Sequence, residues 1–559
     1  MQFDAVIVGS GISGGWVAKE LCERGLKVLM LERGPDVEHG ADYSHELAGR
    51  LRRRDDQIPQ EELDLHYPYY VGVTYAMFNS NKKFWASDHD YPYETPPDKP
   101  YRWIRGYQLG GRSLTWGRQS YRWSPNDFES NLRDGHGVDW PIRYEDLEPW
   151  YDHVEAFAGI SGDYDGLPQL PDGDFLPPFQ FNDVEVDAKG RIEAAFPTRN
   201  LIMGRCAHLS RVAKPQMDVG RQRCEQHVRC AHGCPLGSYF STQAATLPAA
   251  RRTGNLTVIT DAIVDSVIYD PATKRATGVR AINRLTKEAV TYEARVVFLN
   301  ASAINTAALL LNSRSDAFPR GLANGSDQVG RNLMDHVSTR PILGVYPGFE
   351  TSPFQNDRPT GLYMPRYANV TETDKPYLRG FGLQGGAVRR RIPGAEPDAS
   401  GAPKRGWMFS LLPFGEVLPN PENRVTLTTS RVDNWGIPLP VISAEHGENE
   451  RRMMLDAAKD AAAMLAAAGC TDITPWEEAG SHLTPPGDRI HEMGTARMGR
   501  DPRTSVFNGW GQAHEVANLF CSDGAVMASS ASMNPSLTYM ALSARTANHA
   551  ADLLEQGAL

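Results

Sequence analysis

The stretch Cys224-Glu-Gln-His227-Val-Arg-Cys230-Ala-His232-Gly-Cys234-Pro235 gathers three of the chain's seven cysteines into one short segment. Its spacing, C-x2-H-x2-C-x3-C-P, is that of the iron–sulfur run C-x2-C-x2-C-x3-C-P with His227 at the second ligand position. Cys224, Cys230 and Cys234 would suffice for a three-iron cluster, 3Fe-4S, which moves electrons singly. The same thiolates with His227 or His232 would also make a tetrahedral zinc site. A disulfide between two of them leaves an odd thiol and is disfavoured in a reducing compartment. A loop of free thiols would result if the histidine marks a lost cluster. The stretch alone leaves these readings open.

A second chemical signal opens the chain. Phe3 to Val8 reads as a short buried strand and Gly9-Ser-Gly11-Ile12-Ser13-Gly14 as a tight turn. Trp16 to Arg24 reads as a helix stopped by Gly25, and Lys27 to Leu31 as a strand ending in Glu32. Strand, GxGxxG, helix, strand and acid in this order make a dinucleotide-binding βαβ unit. Gly9 permits the turn, Gly11 admits a pyrophosphate, and Gly14 lets helix pack on strand. Glu32, 18 positions after Gly14, can accept from ribose hydroxyls. The motif does not separate FAD from NAD.

Further elements must position these groups. Gly106 to Gly117 is a second glycine-rich segment suited to a flat ligand. Asn255 to Thr260, Ala262 to Tyr269 and Ala294 to Leu299 read as strands, and Ile304 to Leu311 as a helix. Strands with Pro-rich turns fill 341–442, within which Gly385 to Gly406 reads as an exposed loop. Glu448 to Ala468 is an amphipathic helix whose methionines serve packing. Near the carboxy terminus a buried strand ends at Asp523-Gly524, and a helix opens at Asn534-Pro535.

The net charge of −10 over 559 residues argues against nucleic acid or an anionic membrane as main partner. The basic run Arg50, Arg52, Arg53 and Arg54 meets Asp55 and Asp56 at once and reads as a solvated helix face. No segment has the length of apolar residues a membrane span needs. The first residues carry no secretory signal, so the expected location is cytoplasmic, or periplasmic if the protein is exported bound to a signal-bearing partner.

Taken together, GSGISGG (Gly9–Gly15), GGRSLTW (Gly110–Trp116), VGRNLMDH (Val329–His336), HEMGTARMG (His491–Gly499) and NPSLTYMALSAR (Asn534–Arg545) resemble the glucose–methanol–choline (GMC) oxidoreductases over essentially the whole chain. The resemblance implies an α/β protein with a discontinuous Rossmann-type FAD domain (1–34, 100–130, 200–340 and 475–559, with a cysteine-bearing insertion at 222–238). A substrate domain on an antiparallel sheet (35–99, 131–199 and 341–474) would be interleaved. Residues Gly9, Gly11, Ile12, Ser13, Gly14, Glu32 and Arg33 would face the adenosine and pyrophosphate, and Val264 the adenine. Gly110, Gly111 and Ser113 would lie beside the flavin, Asp523 and Gly524 at the pyrophosphate or ribityl, and Asn534 and Pro535 near the isoalloxazine.

The family's catalytic pair falls on His491 and Asn534. A neutral imidazole can take an alcohol's O–H proton while hydride leaves carbon, and an asparagine can orient the same hydroxyl without competing for the proton. Thr115 precedes Trp116 where relatives with covalent flavin carry histidine, so FAD is expected to be non-covalent. The cysteine insertion, GCPLGSYFSTQAATLPAA (Gly233–Ala250) and SDGAVMASSASMNPSLTYM resemble the branch that oxidises glycosides at the sugar's C3 hydroxyl. That resemblance implies a sugar or glycoside substrate, an iron–sulfur relay, a cytochrome c or quinone acceptor and a small partner subunit. A flavin-only oxidase using O2, or a glucose- or gluconate-type dehydrogenase, is the alternative.

Overall fold

A computed structural model of the chain describes residues 3–43, 56–226, 230–352, 358–392, 396 and 401–559. His227 and the basic run at 50–54 lie outside the described residues.

In chain order the strands are β1 (Phe3–Val8), β2 (Val28–Leu31), β3 (Ile202–Met203), β4 (Leu256–Ile259), β5 (Ala262–Asp270), β6 (Arg275–Asn283), β7 (Ala289–Leu299), β8 (Val337–Ser338), β9 (Ile342–Tyr346), β10 (Leu362–Met364), β11 (Phe381–Arg391), β12 (Arg405–Gly415), β13 (Arg424–Val432), β14 (Pro438–Ser443) and β15 (Leu519–Cys521). Four helices matter for the site: α1 (Ile12–Glu23), α2 (Ala303–Asn312), α3 (Glu448–Ala467) and α4 (Ser536–Glu555).

The first sheet is a parallel core, β4-β2-β1-β7, with β15 on the far side of β7's carboxy-terminal half. The amino-terminal half of β7 continues as an antiparallel meander with β6 and β5. Its strand β2, VLML, is apolar throughout and wholly buried, as a sheet covered on both faces requires. Residues 13–22 of α1 are all buried, and the helix packs against α4 and the helix Thr246–Arg252. It begins at Ile12, earlier than expected, and Gly25 at φ +81° ends it.

The second sheet, β3-β10-β11-β12-β8 with β9 on β12, is antiparallel throughout. Helix α3 covers one face, and its Met453, Met454 and Met464 are fully buried, so they serve packing as expected. The segment 385–391, read as exposed loop, is instead the second half of β11. Gly385 pairs with Leu411 in the ladder, and a Cβ on it would lie 1.9 Å from the Ser410 carbonyl oxygen. The glycine admits a neighbouring strand here, where composition alone reads as a loop. The two sheets are not segregated by sequence: β3 and β8 join the second sheet from within 200–340. Among the described residues no helix is long and apolar enough to cross a membrane.

Candidate active site

At the carboxy-terminal end of β1, Gly9 takes φ +98°, which glycine adopts freely. A Cβ on it would sit 2.4 Å from the Asn300 carbonyl oxygen, and one on Gly14 would sit 2.0 Å from the Gly9 carbonyl oxygen. Gly11 differs: a Cβ there meets nothing within 4 Å, because Gly11 faces an open cavity of about 550 Å³. The first turn of α1 presents its free N–H groups at the same place. Glu32 directly follows β2 and accepts from the Ser10 hydroxyl (2.5 Å), the Ser10 amide (3.2 Å) and the Gly34 amide (3.0 Å). Ser10, not foreseen from the sequence, also accepts from the Gly110 amide at 2.8 Å and so fastens the second glycine-rich segment to the first.

Gly9, Gly11, Ile12, Ser13, Glu32, Arg33, Gly111, Ser113, Val264, Asp523, Gly524, His491 and Asn534 all line this one cavity. Gly14 and Gly110 stand behind its wall in packing roles. Pro535, expected beside the flavin, caps α4, and its neighbours Asn534 and Ser536 form the wall there. The Arg33 guanidinium lies 4.0 Å above the Tyr107 ring. Asp523 accepts from Thr306 Oγ1 (2.7 Å) and from the Ala525 amide (2.8 Å). Arg33 Nε and Asn300 Oδ1 are buried on the wall without a partner. Unpaired polar atoms of this kind and the opening at Gly11 fit a polar, extended dinucleotide.

At the far end of the cavity the donors form a chain. Gln384 Nε2 donates to Asn534 Oδ1 at 2.6 Å, which turns the Asn534 amide nitrogen toward His491 Nε2 at 3.2 Å. His491 Nε2 therefore carries a lone pair. Its Nδ1–H is left to donate to His336 Nδ1, 2.9 Å away. The two imidazoles meet edge to face at 4.9 Å. Burial holds His491 well below its ordinary pKa, with His336 and nearby arginines adding to the effect, and pushes His336 down to about 4. Both rings are neutral at pH 7.

Asp335 secures the segment. Its carboxylate accepts from the backbone amides of His336 (2.7 Å), Arg489 (3.0 Å) and His491 (3.0 Å). Burial, reinforced by Glu492, pushes Asp335 up to about 7. Between the last two amides Ile490 has φ +65°, a left-handed conformation that a β-branched residue rarely adopts. Strain of this kind costs about 1–3 kcal/mol and collects at functional sites. Arg112, from the central glycine motif, grips the buried Glu492 carboxylate with bonds of 3.0 and 2.6 Å. Asp335, His336, Arg112 and Glu492 lie inside the sequence motifs, but their spacing assigns them no role. Repeated polar residues beside the motif glycines were the available signal.

The cysteine segment lies next to this cavity. Arg118 lines the cavity and donates to the Cys230 carbonyl at 2.8 Å. Cys230 Sγ lies 3.5 Å from Nε2 of the buried His208. Burial, with Cys230 and Cys234 adding to it, pushes Cys224 up to about 11. None of the seven cysteines forms a disulfide. His232 is engaged elsewhere, stacked on Phe78 at 5.0 Å and 3.4 Å from Asp56. Among the described residues only His66–His89–Asp90 and Asp335–His336–His491 bring three ligand atoms within 4.8 Å of one another.

A nucleotide-binding βαβ unit whose cavity ends at a neutral imidazole defines a dinucleotide-dependent oxidoreductase. Comparison with known proteins is consistent with this class. The GMC oxidoreductase family models match residues 3–338 and 419–543. The chain belongs to the GMC oxidoreductases, FAD enzymes that oxidise CH–OH groups. It is 28% identical to the fructose dehydrogenase large subunit of Gluconobacter japonicus, over 100% of this chain and 99% of that one. It is 29% identical to 2-methyl-1,2-propanediol dehydrogenase of Mycolicibacterium austroafricanum (98% and 95%) and 28% identical to paromamine 6'-oxidase of Streptomyces fradiae (98% and 90%). Among solved structures, pyridoxine 4-oxidase from Mesorbium loti superposes with TM-score 0.62 at 18% identity, covering 98% of this chain and 99% of that one. An Aspergillus oryzae formate oxidase variant gives TM-score 0.64 at 16% identity, covering 99% of both. These two likenesses concern the fold alone.

Proposed function

We propose that this protein oxidises a pyranose hydroxyl of a sugar or glycoside to a ketone, at C3, using non-covalent FAD. The observation that carries the reading is the pair His491 Nε2 and Asn534 Nδ2, 3.2 Å apart at the end of the cavity that begins at Gly11. Bound FAD supplies the acceptor for the hydride that leaves the carbinol carbon. The hydroxyl proton passes to the lone pair of His491 Nε2, which burial keeps available at neutral pH. Asn534 holds the hydroxyl oxygen, and Asp335 fixes the backbone that carries His491. Gly9, Gly11, Ile12, Ser13, Glu32, Arg33 and Val264 would hold the adenosine end, and Gly111, Ser113, Asp523, Gly524 and Asn534 the remainder, with Gly14, Gly110 and Pro535 shaping the wall behind them. The domain division is proposed as the family resemblance implies it.

Cys224, Cys230 and Cys234 would hold an iron–sulfur cluster that takes electrons singly toward a cytochrome c or quinone. Sulfurs on one zinc lie roughly 3.8 Å apart, and these three thiols with any fourth ligand do not form a group within 4.8 Å among the described residues. That spread favours a larger inorganic unit. The relative described as a large subunit supports a small partner subunit, which could also carry the protein to the periplasm.

The test is anaerobic mixing of the purified holoenzyme with a panel of sugars and methyl glycosides, with flavin absorbance followed and the product ketone located by NMR. Iron, acid-labile sulfide and zinc per flavin are measured on the same sample. Flavin bleaching with a C3 ketone and about three irons per FAD is the expected result. Bleaching without iron and with peroxide formed from O2 would replace the relay with the flavin-only oxidase. No bleaching by any sugar would overturn the substrate reading.

A further inference from the structure

The cavity end around His491 contains a guanidinium, Arg489, that no carboxylate holds in an ion pair among the described residues. Arg112 is committed to Glu492. Arg118 is committed to the Cys230 carbonyl and lies 4.3 Å above the Tyr239 ring. Arg489, which lines the cavity, is not committed. Its guanidinium sits 5.5 Å from the centre of the Phe414 ring, and its Nε is buried without a partner. Its side chain makes no ion pair or hydrogen bond among the described residues. The nearest acid in sequence, Asp488, is bound to Arg102 at 2.9 Å, so two guanidiniums share one carboxylate.

The backbone that carries this side chain is clamped. Asp335 accepts from the amides of both Arg489 and His491 at 3.0 Å, and the residue between them holds a left-handed φ of +65°. A β-branched residue is not placed there without compensation elsewhere. The result is that Arg489 and His491 line the same cavity from one clamped segment. A planar guanidinium resting on an aromatic face keeps its outward fork for a planar anion, which a carboxylate matches with two parallel bonds.

We propose that Arg489 is a substrate-binding residue that anchors a carboxylate, and that the preferred substrates are acidic sugars of the uronide class. This rests on the reading of the enzyme as a sugar oxidoreductase and narrows it. A carboxylate held by Arg489 would fix which ring hydroxyl reaches His491. Neutral sugars would bind without that anchor.

The test uses a matched pair, methyl β-D-glucuronide and methyl β-D-glucoside, which differ at C6 as carboxylate and hydroxymethyl. With the FAD-loaded enzyme, kcat/KM for the glucuronide should exceed that for the glucoside by roughly tenfold or more, the strength of a charged hydrogen bond. R489Q should abolish this preference, and R489K should keep part of it. Sulfite affinity of the holoenzyme, which reports charge beside the flavin, should stay unchanged in both variants. A wild-type enzyme that oxidises the glucoside as well as or better than the glucuronide overturns the anchor while sparing the sugar reading. R489Q losing both substrates equally, with weakened sulfite binding, also overturns it and places the guanidinium at the flavin. Oxidation of neither sugar overturns both readings together.

Discussion

His491 has the features of a base prepared before substrate arrives. Its Nε2 lone pair is defined by a donor on one side, Asn534, and by an acceptor for Nδ1–H on the other, His336. Burial disfavours its charged form, so its pKa lies below the ordinary 6.5. A base with a lowered pKa stays active as pH falls past 6.5 and is lost only as pH drops through its own pKa. The acid limb of kcat/KM is therefore expected below pH 6.5, and a limb centred above that value would contradict the buried neutral state. His491→Ala should lower kcat by about 10²–10⁴-fold with FAD retained. His336→Ala removes both the acceptor and one of the causes of His491's low pKa. It should cut kcat by about tenfold, as expected for a lost hydrogen bond of 1–1.5 kcal/mol, and move the acid limb to higher pH. His336→Gln, which keeps an acceptor, should recover part of the rate.

At the scale of elements, two of the motif glycines have separable duties. Gly14 exists for packing, since a Cβ would meet the Gly9 carbonyl oxygen at 2.0 Å. Gly14→Ala must push α1 off β1 and is expected to cost about 1–3 kcal/mol of stability, read as a lower melting temperature of the apoprotein. Gly11 has an ordinary φ of −64° and open space in front of it. Gly11→Val should leave apoprotein melting near wild type and reduce bound flavin at least tenfold. Equal melting losses for both variants would refute the division. These duties were legible in the sequence because a βαβ unit is local: strand, turn, helix and acid fall within 3–32. The helix Ala303–Asn312 and the methionine-lined α3 were legible for the same reason, through periodicity. What escaped was long-range. The His336–His491 bond joins residues 155 apart, and His208 reaches Cys230 across 22. No spacing rule connects such pairs. Gly385 to Arg391 was misread because composition reports flexibility, whereas the ladder with β12 uses the same glycines for close approach.

The whole molecule brings the two sheets together at one hydrogen bond beside the proposed catalytic pair. Asn534 arrives with α4 from the nucleotide-binding half, and Gln384 arrives on β11 of the antiparallel sheet, donating to Asn534 Oδ1 at 2.6 Å. The orientation of the asparagine thus depends on both sheets being correctly assembled. Gln384→Leu removes the donor and frees the amide to rotate, which should reduce kcat by about tenfold through loss of one hydrogen bond worth 1–1.5 kcal/mol. Gln384→Glu is the sharper substitution. A carboxylate only accepts, so it would draw the Asn534 amide nitrogen to itself and turn Oδ1 toward the His491 lone pair. Two acceptors would then face each other where a donor is needed, and kcat should fall further than in the leucine variant. Flavin content and melting temperature should stay near wild type in both, because neither change touches the cavity's nucleotide end. If the glutamate variant were as active as the wild type, the amide's orientation would not matter for turnover, and Asn534 would need some role other than presenting its nitrogen to His491.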